Sequence, residues 1–313
     1  MVDYKPPLLH RSAHFSTIIP NLFRPTLKPR YERITIPTPD QDFLDIDGIF
    51  KESKTAILLL HGLEGSSLSR YISSIAMQLA QENYDVLAMN QRGCSGRDNL
   101  KLRAYHSGNT EDVLTVLSHF AKTYDTIHII GFSLGGNIAL RLAGTDLRTS
   151  HLPVEKIVGV SVPIDLKGCA LELDKFKNKI YLLRFLRSLK SKAISKVERF
   201  PDSIINLKKI ENAKSFFEFD EYFTAPVHGF TSAMHYYEQC SALPVLQDVK
   251  NPTLFINARN DTFLSKSCYP REESLSNSVS YVEPDYGGHV GFARNHRMHK
   301  QFWHEEQILN FLK

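Results

Sequence analysis

Two rhythms of apolar positions take turns along most of the chain: short apolar or β-branched runs, and longer stretches in which apolar residues recur every three or four positions. Arg33 to Ile36 and Phe43 to Ile46 predict an opening antiparallel pair of strands. The order then becomes strand, helix, strand. Thr55 to Leu60 reads as a buried strand, Arg70 to Gln81 as an amphipathic helix and Val86 to Met89 as a strand. Thr110 to Lys122, with a threonine at its start and an acidic first turn, is a helix. Ile127 to Gly131, Leu134 to Ala143 and Ile157 to Val162 continue as strand, helix and strand. Such alternation builds an α/β architecture, a mostly parallel sheet with helices on both faces.

From Asp165 to about Pro244 the rhythm breaks into helix-forming sequence without a buried strand. It resumes at Thr253 to Ala258 and Val279 to Glu283, and closes on a helix near Phe302 to Leu312. The expectation is one domain, 1–313, into which 165–244 is inserted as a helical lid. Ligands sit outside the carboxyl ends of parallel strands, so an insertion that leaves one strand end and returns to the next strand falls over that crevice. Apolar side chains such as Leu182, Leu183 and Leu186 are expected to cover it.

Composition excludes several classes. Hydrophobic residues make up 42% and charged residues 23% of 313 positions, which is globular rather than disordered or fibrous. The longest unbroken apolar run, Ala56 to Leu60, is far short of a bilayer span, and Asp3, Pro6 and Pro7 stand where a signal peptide needs an apolar stretch. Cys94, Cys169, Cys240 and Cys268 form no Cys-x-x-Cys pair, so reduced thiols in a cytoplasmic compartment are expected. A formal net charge of +4 is too mild to imply nucleic acid. That charge is unevenly placed: Lys167 to Lys214 holds 13 basic and 5 acidic residues.

The chemistry begins at Gly131-Phe132-Ser133-Leu134-Gly135, a Gly-x-Ser-x-Gly that follows a predicted strand and opens a predicted helix. A serine on so sharp a turn needs neighbours without side chains, because backbone and helix pack against them while the hydroxyl is pushed into the cleft. A serine hydroxyl is a poor nucleophile until a base takes its proton, and on this architecture the acid and then the histidine follow the serine in the chain. Asp261, a short loop beyond Thr253 to Ile256, and His289, in Gly287-Gly288-His289-Val290-Gly291 beyond the last strand, occur in that order. Asp165, after the preceding strand, is the substitute acid. The oxyanion of a tetrahedral intermediate needs backbone donors from the residue after the nucleophile and from the loop after an early strand. Leu134 and Leu63 fill those places.

Other histidines read as structural. His61 precedes the serine and ends a buried strand. His106 is followed by Asp112, one residue too late for a His-x4-Asp acyltransferase box. His296 and His299 lack an acidic or cysteine partner at metal-ligand spacing. Ile180 to Lys190 is apolar at 180, 183, 186 and 189, with cations at 184, 187 and 190. Such a helix either presents a solvated basic face or lies on an anionic membrane surface, a peripheral contact.

The motifs together resemble the YheT-like branch of the α/β-hydrolases. The resemblance rests on His61-Gly62-Leu63-Glu64-Gly65-Ser66-Ser67, Asn90-Gln91-Arg92-Gly93-Cys94-Ser95-Gly96, Tyr105-His106-Ser107-Gly108, Gly131-Phe132-Ser133-Leu134-Gly135-Gly136-Asn137, Asp220 with Pro226 to Phe230, and Gly287 to Phe292. It covers nearly the whole chain, including His14 to Arg24 and Arg33 to Asp47. It implies a serine hydrolase acting on small-molecule carboxylic esters, acyl or lipid-like, with Ser133, Asp261 and His289 as triad and no metal or organic cofactor. Relatives usually carry a proline after the acid, where this chain has Thr262. The rivals are a thioesterase, peptidase or acyltransferase on the same triad, and a lipid-binding protein that keeps the fold without turnover.

Overall fold

The computed structural model describes residues 4–145, 147–295 and 302–313. Its strands are β1 (Glu32–Pro37), β2 (Phe43–Ile49), β3 (Thr55–Leu60), β4 (Asp85–Asn90), β5 (Thr126–Phe132), β6 (Val154–Val160), β7 (Thr253–Ile256) and β8 (Val279–Val282). They form one sheet in the order β1-β2-β4-β3-β5-β6-β7-β8. The β1–β2 and β2–β4 pairings are antiparallel and all the others parallel.

The sheet is covered on both faces, which is why β3 is apolar from Ala56 to Leu60 and β4 from Val86 to Met89. Residues 56–60 of β3 and all of β4 are buried. Alternate residues of β3 point opposite ways. Leu58 and Leu60 pack with Val113, Val116 and Leu117 of α3 (Thr110–Phe120) and Ile138 and Leu142 of α4 (Leu134–Ala143). Ile57 and Leu59 pack on the other face with Ile72, Ile75 and Leu79 of α2 (Arg70–Gln81) and with Trp303 and Ile308 of α11 (Trp303–Leu312).

Several boundaries differ from the sequence pattern by two residues or more, and two of them have a plain physical cause. β6 ends at Val160 rather than Val162, because Ser161 takes a positive φ of 53° that turns the chain out of the sheet. β2 runs on to Ile49 through Asp45 and Asp47, which are buried yet satisfied: Arg33 and Arg97 pair with them, and Ser67 and Asn90 hydrogen-bond Asp47. The N-terminal helix α1 (Ala13–Phe23) is not among the elements expected above, although Phe15, Ile18, Ile19, Leu22 and Phe23 recur at helical spacing; Pro20 inside it is the residue that speaks against a helix there.

Between β6 and β7 the chain runs through α5 (Leu166–Leu173), α6 (Lys179–Arg199), α7 (Leu207–Asn212), α8 (Phe216–Phe219), α9 (Ala225–Val227) and α10 (Ala233–Cys240). These helices bury a core of their own, with Leu182, Leu186, Val197, Ile210 and Phe223 at its centre. The expectation for Leu183 is corrected: it is 58% exposed on the outer side of α6, while its neighbour Phe185 faces the cleft. Leu182 and Leu186 are likewise not part of the cleft wall but pack inside the helical core, so the stripe read at three-residue spacing divides among solvent, helical core and cavity wall.

Five histidines, His61, His106, His128, His228 and His304, are held below the ordinary histidine value, in each case chiefly by burial, His61 and His128 down to about 4. The folded protein keeps them neutral where the unfolded chain, with a histidine value of about 6.5, takes up protons. Their contribution is fully present above about 6.5 and is lost as pH falls toward the folded values. Asp174 and Asp220, raised by burial, act the opposite way but are fewer. The urea midpoint of unfolding is therefore expected to be lower at pH 5 than at pH 7.5; an equal or higher midpoint at pH 5 would contradict this assignment.

Candidate active site

The strand order reverses around β3, since the chain moves from β3 outward to β4 and later returns to the other side as β5. Crevices form at such a switch point, outside the carboxyl ends of the strands. The register aligns those ends: Leu60 lies opposite Gly131, Phe132 opposite Val160, and Val160 opposite Ile256. The loops after β3, β5, β7 and β8 therefore meet at one edge.

Ser133 occupies the turn between β5 and α4 at φ 51° and ψ −120°, a conformation that costs on the order of 1–3 kcal/mol and persists only where the surroundings impose it. Its neighbours explain how. A Cβ on Gly131 would lie 2.2 Å from the Gly135 carbonyl oxygen, and one on Gly135 would lie 2.3 Å from that of Leu60. The two glycines let α4 start directly against β5 and β3, and Ser133 is fixed by its N–H donating to the Val160 carbonyl at 2.9 Å.

His289 Nε2 lies 2.9 Å from Ser133 Oγ, and His289 Nδ1 lies 2.8 Å from Asp261 Oδ2. The Asp261 side chain is completely buried and that of His289 is 11% exposed. Asp261 Oδ1 also accepts the Phe263 N–H at 2.9 Å, and the Phe263 ring lies 4.3 Å from the imidazole of His289, centroid to centroid. The structure thus brings together the three side chains that the sequence places 128 and 28 residues apart, and it fixes both faces of the imidazole's hydrogen bonding.

Leu134 is the first residue of α4, so its N–H belongs to the unmatched donors of that helix end. Leu63 lies in the loop after β3, between two amides that are already committed: Gly62 N–H donates to Tyr71 Oη at 2.8 Å and Glu64 N–H to Tyr105 Oη at 2.9 Å. Leu63, Leu134, Ser133 and His289 line one cavity of about 310 Å³. Much of its remaining wall comes from the inserted helices through Leu173, Phe185, Leu189, Phe216 and Phe219. Asp220 also lines it, accepting hydrogen bonds from Thr224 (2.6 Å) and Tyr237 (2.7 Å), and burial pushes its pKa up to about 6.

The remaining candidates have other work. His61 Nδ1 lies 2.7 Å from the Gly62 carbonyl and its Nε2 accepts the Gln91 N–H at 3.0 Å, which locks a neutral structural imidazole. Asp165 caps α5 by accepting the Gly168 N–H at 3.0 Å and is bonded by Ser267, so it does not reach His289. His106 accepts the Gly108 N–H and packs against His228, while Asp112 holds Arg92. His296 and His299 lie outside the described residues. Among the described residues no group of three or more His, Cys, Asp or Glu is placed to hold a metal.

Sequence reasoning missed the supports of the histidine loop. His289 N–H donates to Thr17 Oγ1 of α1 at 3.0 Å, Val290 N–H to Ser161 Oγ at 2.9 Å, and Gly288 N–H to Asn260 Oδ1 at 2.9 Å. It also missed Glu64, whose carboxylate accepts from Tyr105 Oη (2.7 Å), Lys192 Nζ (3.0 Å) and Ser188 Oγ, tying α6 to the loop that carries Leu63. Positive φ at Glu64 (55°) and Ser161 (53°) marks both as turn positions, but neither residue type announces it.

Residues 55–295 match the family described as alpha/beta hydrolase fold. The chain is 34% identical over 310 residues to the Escherichia coli protein named "Putative esterase YheT", covering 96% of this chain and 90% of that one. It is 30% identical over 287 residues to the human phospholipase ABHD3, covering 87% and 70%. It is 26% identical to a monoacylglycerol lipase of Saccharomyces cerevisiae, covering 93% and 65%. Among solved structures, the Pyrococcus furiosus esterase Pf2001 superposes with a TM-score of 0.59 at 19% identity, over 92% of this chain and 96% of that one, a likeness of fold.

Proposed function

The chain belongs to the α/β-hydrolase family, in its YheT-like branch, and from that premise we propose that it hydrolyses carboxylic esters through Ser133, His289 and Asp261. The observation that carries the mechanism is the continuous hydrogen-bonded line from Ser133 Oγ through His289 to Asp261. Ser133 Oγ attacks the ester carbonyl while His289 Nε2 takes its proton, and Asp261 holds the Nδ1–H tautomer and stabilises the imidazolium. The amides of Leu63 and Leu134 receive the negative oxygen of the tetrahedral intermediate. Collapse expels the alcohol, which leaves with the proton from His289, and water activated by the same imidazole releases the acid from Ser133. None of these steps calls on a cofactor.

Residues 1–313 act as one hydrolase domain, with 165–244 as a helical lid whose apolar inner wall receives the acyl chain. That reading is supported by the cavity being walled jointly by Ser133 and by the helices between β6 and β7. The relatives named as esterase, phospholipase and lipase support acyl esters as the substrate class. Each methylene taken against that apolar wall adds about 0.8 kcal/mol until the cavity of about 310 Å³ is filled. On a panel of p-nitrophenyl esters, kcat/KM is expected to rise with acyl length from acetate and then fall once the chain outgrows the cavity, short of palmitate. A flat profile, or one that keeps rising through palmitate, would exclude this cavity as the acyl site.

A further inference from the structure

We propose that the outer face of α1, together with the segment from Leu171 through the first two turns of α6, forms one docking surface for an anionic lipid bilayer. Nine of the fourteen large apolar side chains that stand exposed among the described residues fall in residues 8–23 and 171–183, and the other five are scattered. On the first segment these include Leu8, Leu9, Phe15, Leu22 and Phe23, with Phe15 and Leu22 seven apart on one helical stripe. On the second they include Phe176, Ile180 and Leu183, with Phe176 89% exposed. Exposed apolar side chains gathered in two short segments in this way mark a binding surface rather than chance exposure.

The two segments are neighbours in space. His14 Nδ1 lies 3.1 Å from Tyr181 Oη and the two rings stack with centroids 5.8 Å apart. Charge then selects the occupant. Residues 4–24 and 171–190 together hold nine basic and two acidic residues; Arg24 is buried against Glu305, which leaves eight cations for the surface, and Glu172, one of the two acids, is paired with Lys175 and Lys177. Ile180, Leu183, Arg184 and Arg187 lie on one exposed stripe of α6 at spacings of three and four. Apolar side chains interleaved with cations match the headgroup and acyl boundary of an anionic membrane. A protein partner's interface core is depleted in lysine, whereas Lys175, Lys177 and Lys179 all stand exposed beside Phe176 and Ile180.

The inner sides of the same elements belong to the cleft. Thr17 of α1 accepts the His289 N–H, Phe185 and Leu189 of α6 line the cavity, and the Tyr181 ring meets Phe263 edge-on at 4.7 Å. The bilayer would thus lie directly outside the elements that enclose Ser133. Among the described residues no helix is long and apolar enough to cross a membrane, so the contact is peripheral.

Co-sedimentation with vesicles tests the surface independently of the hydrolytic reading, which is followed in parallel with a short ester dissolved as monomer. Wild type is expected to partition onto vesicles of mixed phosphatidylcholine and phosphatidylglycerol more than onto phosphatidylcholine alone. Binding should weaken from about 0.01 M to about 0.15 M salt as the Debye length shortens from about 30 Å to about 8 Å. The pair Phe15→Ser with Leu22→Ser, and separately the pair Ile180→Ser with Leu183→Ser, should each lower partitioning by at least about tenfold while leaving turnover of the dissolved ester within about twofold. Arg184→Gln with Arg187→Gln should remove much of the salt dependence. Absence of wild-type binding at low salt, equal binding to neutral vesicles, or a self-associated species dissolved by the serine pairs in place of vesicle binding would each overturn the proposal.

Discussion

Replacing Ser133 by alanine is expected to lower ester hydrolysis by about 10³ to 10⁶, because in the proposed mechanism the triad acts as a unit and only binding and the proposed oxyanion donors remain without its nucleophile. The loss should fall on kcat. Among the described residues Ser133 Oγ hydrogen-bonds only His289, while the backbone N–H that fixes the turn still reaches the Val160 carbonyl in the variant. The circular dichroism spectrum and urea midpoint are therefore expected to stay close to those of wild type. Turnover above about a tenth of wild type in folded Ser133→Ala would remove this serine from the mechanism, since a group worth so little could not be the nucleophile.

The second large effect is expected from Asp261→Asn. The side chain keeps its shape and can still accept the Phe263 N–H, but an amide offers a donor or a weaker acceptor where His289 Nδ1 meets Asp261 Oδ2 at 2.8 Å. The imidazole then settles in the wrong tautomer and its charged form loses a buried counterion. A fall in kcat of about 10⁴ is expected, with KM nearly unchanged. The steady-state rate of Asp261→Asn against wild type checks it. An unchanged rate would need another acid, and Asp165 is occupied with capping α5.

Those two variants rest on residues that sequence alone brings into view, and the reason is local chemistry. Gly131 and Gly135 are demanded by contacts of 2.2 and 2.3 Å that any Cβ would make, so the turn leaves its mark in residue type. Apolar runs in β3, β4 and β5 reflect burial on both sheet faces in the same way. The supports are harder to read. Thr17 meets His289 across 272 positions of chain, and a threonine in an unremarkable N-terminal segment carries no sign of that partner. Glu64 looks like a solvated loop acid until α6 folds back to present Lys192 and Ser188 to it. In α6 the three-residue spacing of Ile180, Leu183, Leu186 and Leu189 suggests a single apolar face. The helix is instead used on three sides: Leu182 and Leu186 fill the core of the inserted helices, Phe185 and Leu189 line the cavity, and Ile180 and Leu183 face outward. Periodicity reports how much of a helix is apolar, whereas tertiary packing decides what each side meets.

The central claim is that His289 and Asp261 activate Ser133, and the most direct test is the site at which a fluorophosphonate attaches covalently to the folded protein. The predicted result of peptide mass spectrometry is a single adduct on Ser133, formed rapidly by wild type, slowly by Asp261→Asn and absent from Ser133→Ala. No adduct on folded wild type, or an adduct on another residue that persists in Ser133→Ala, would contradict the account.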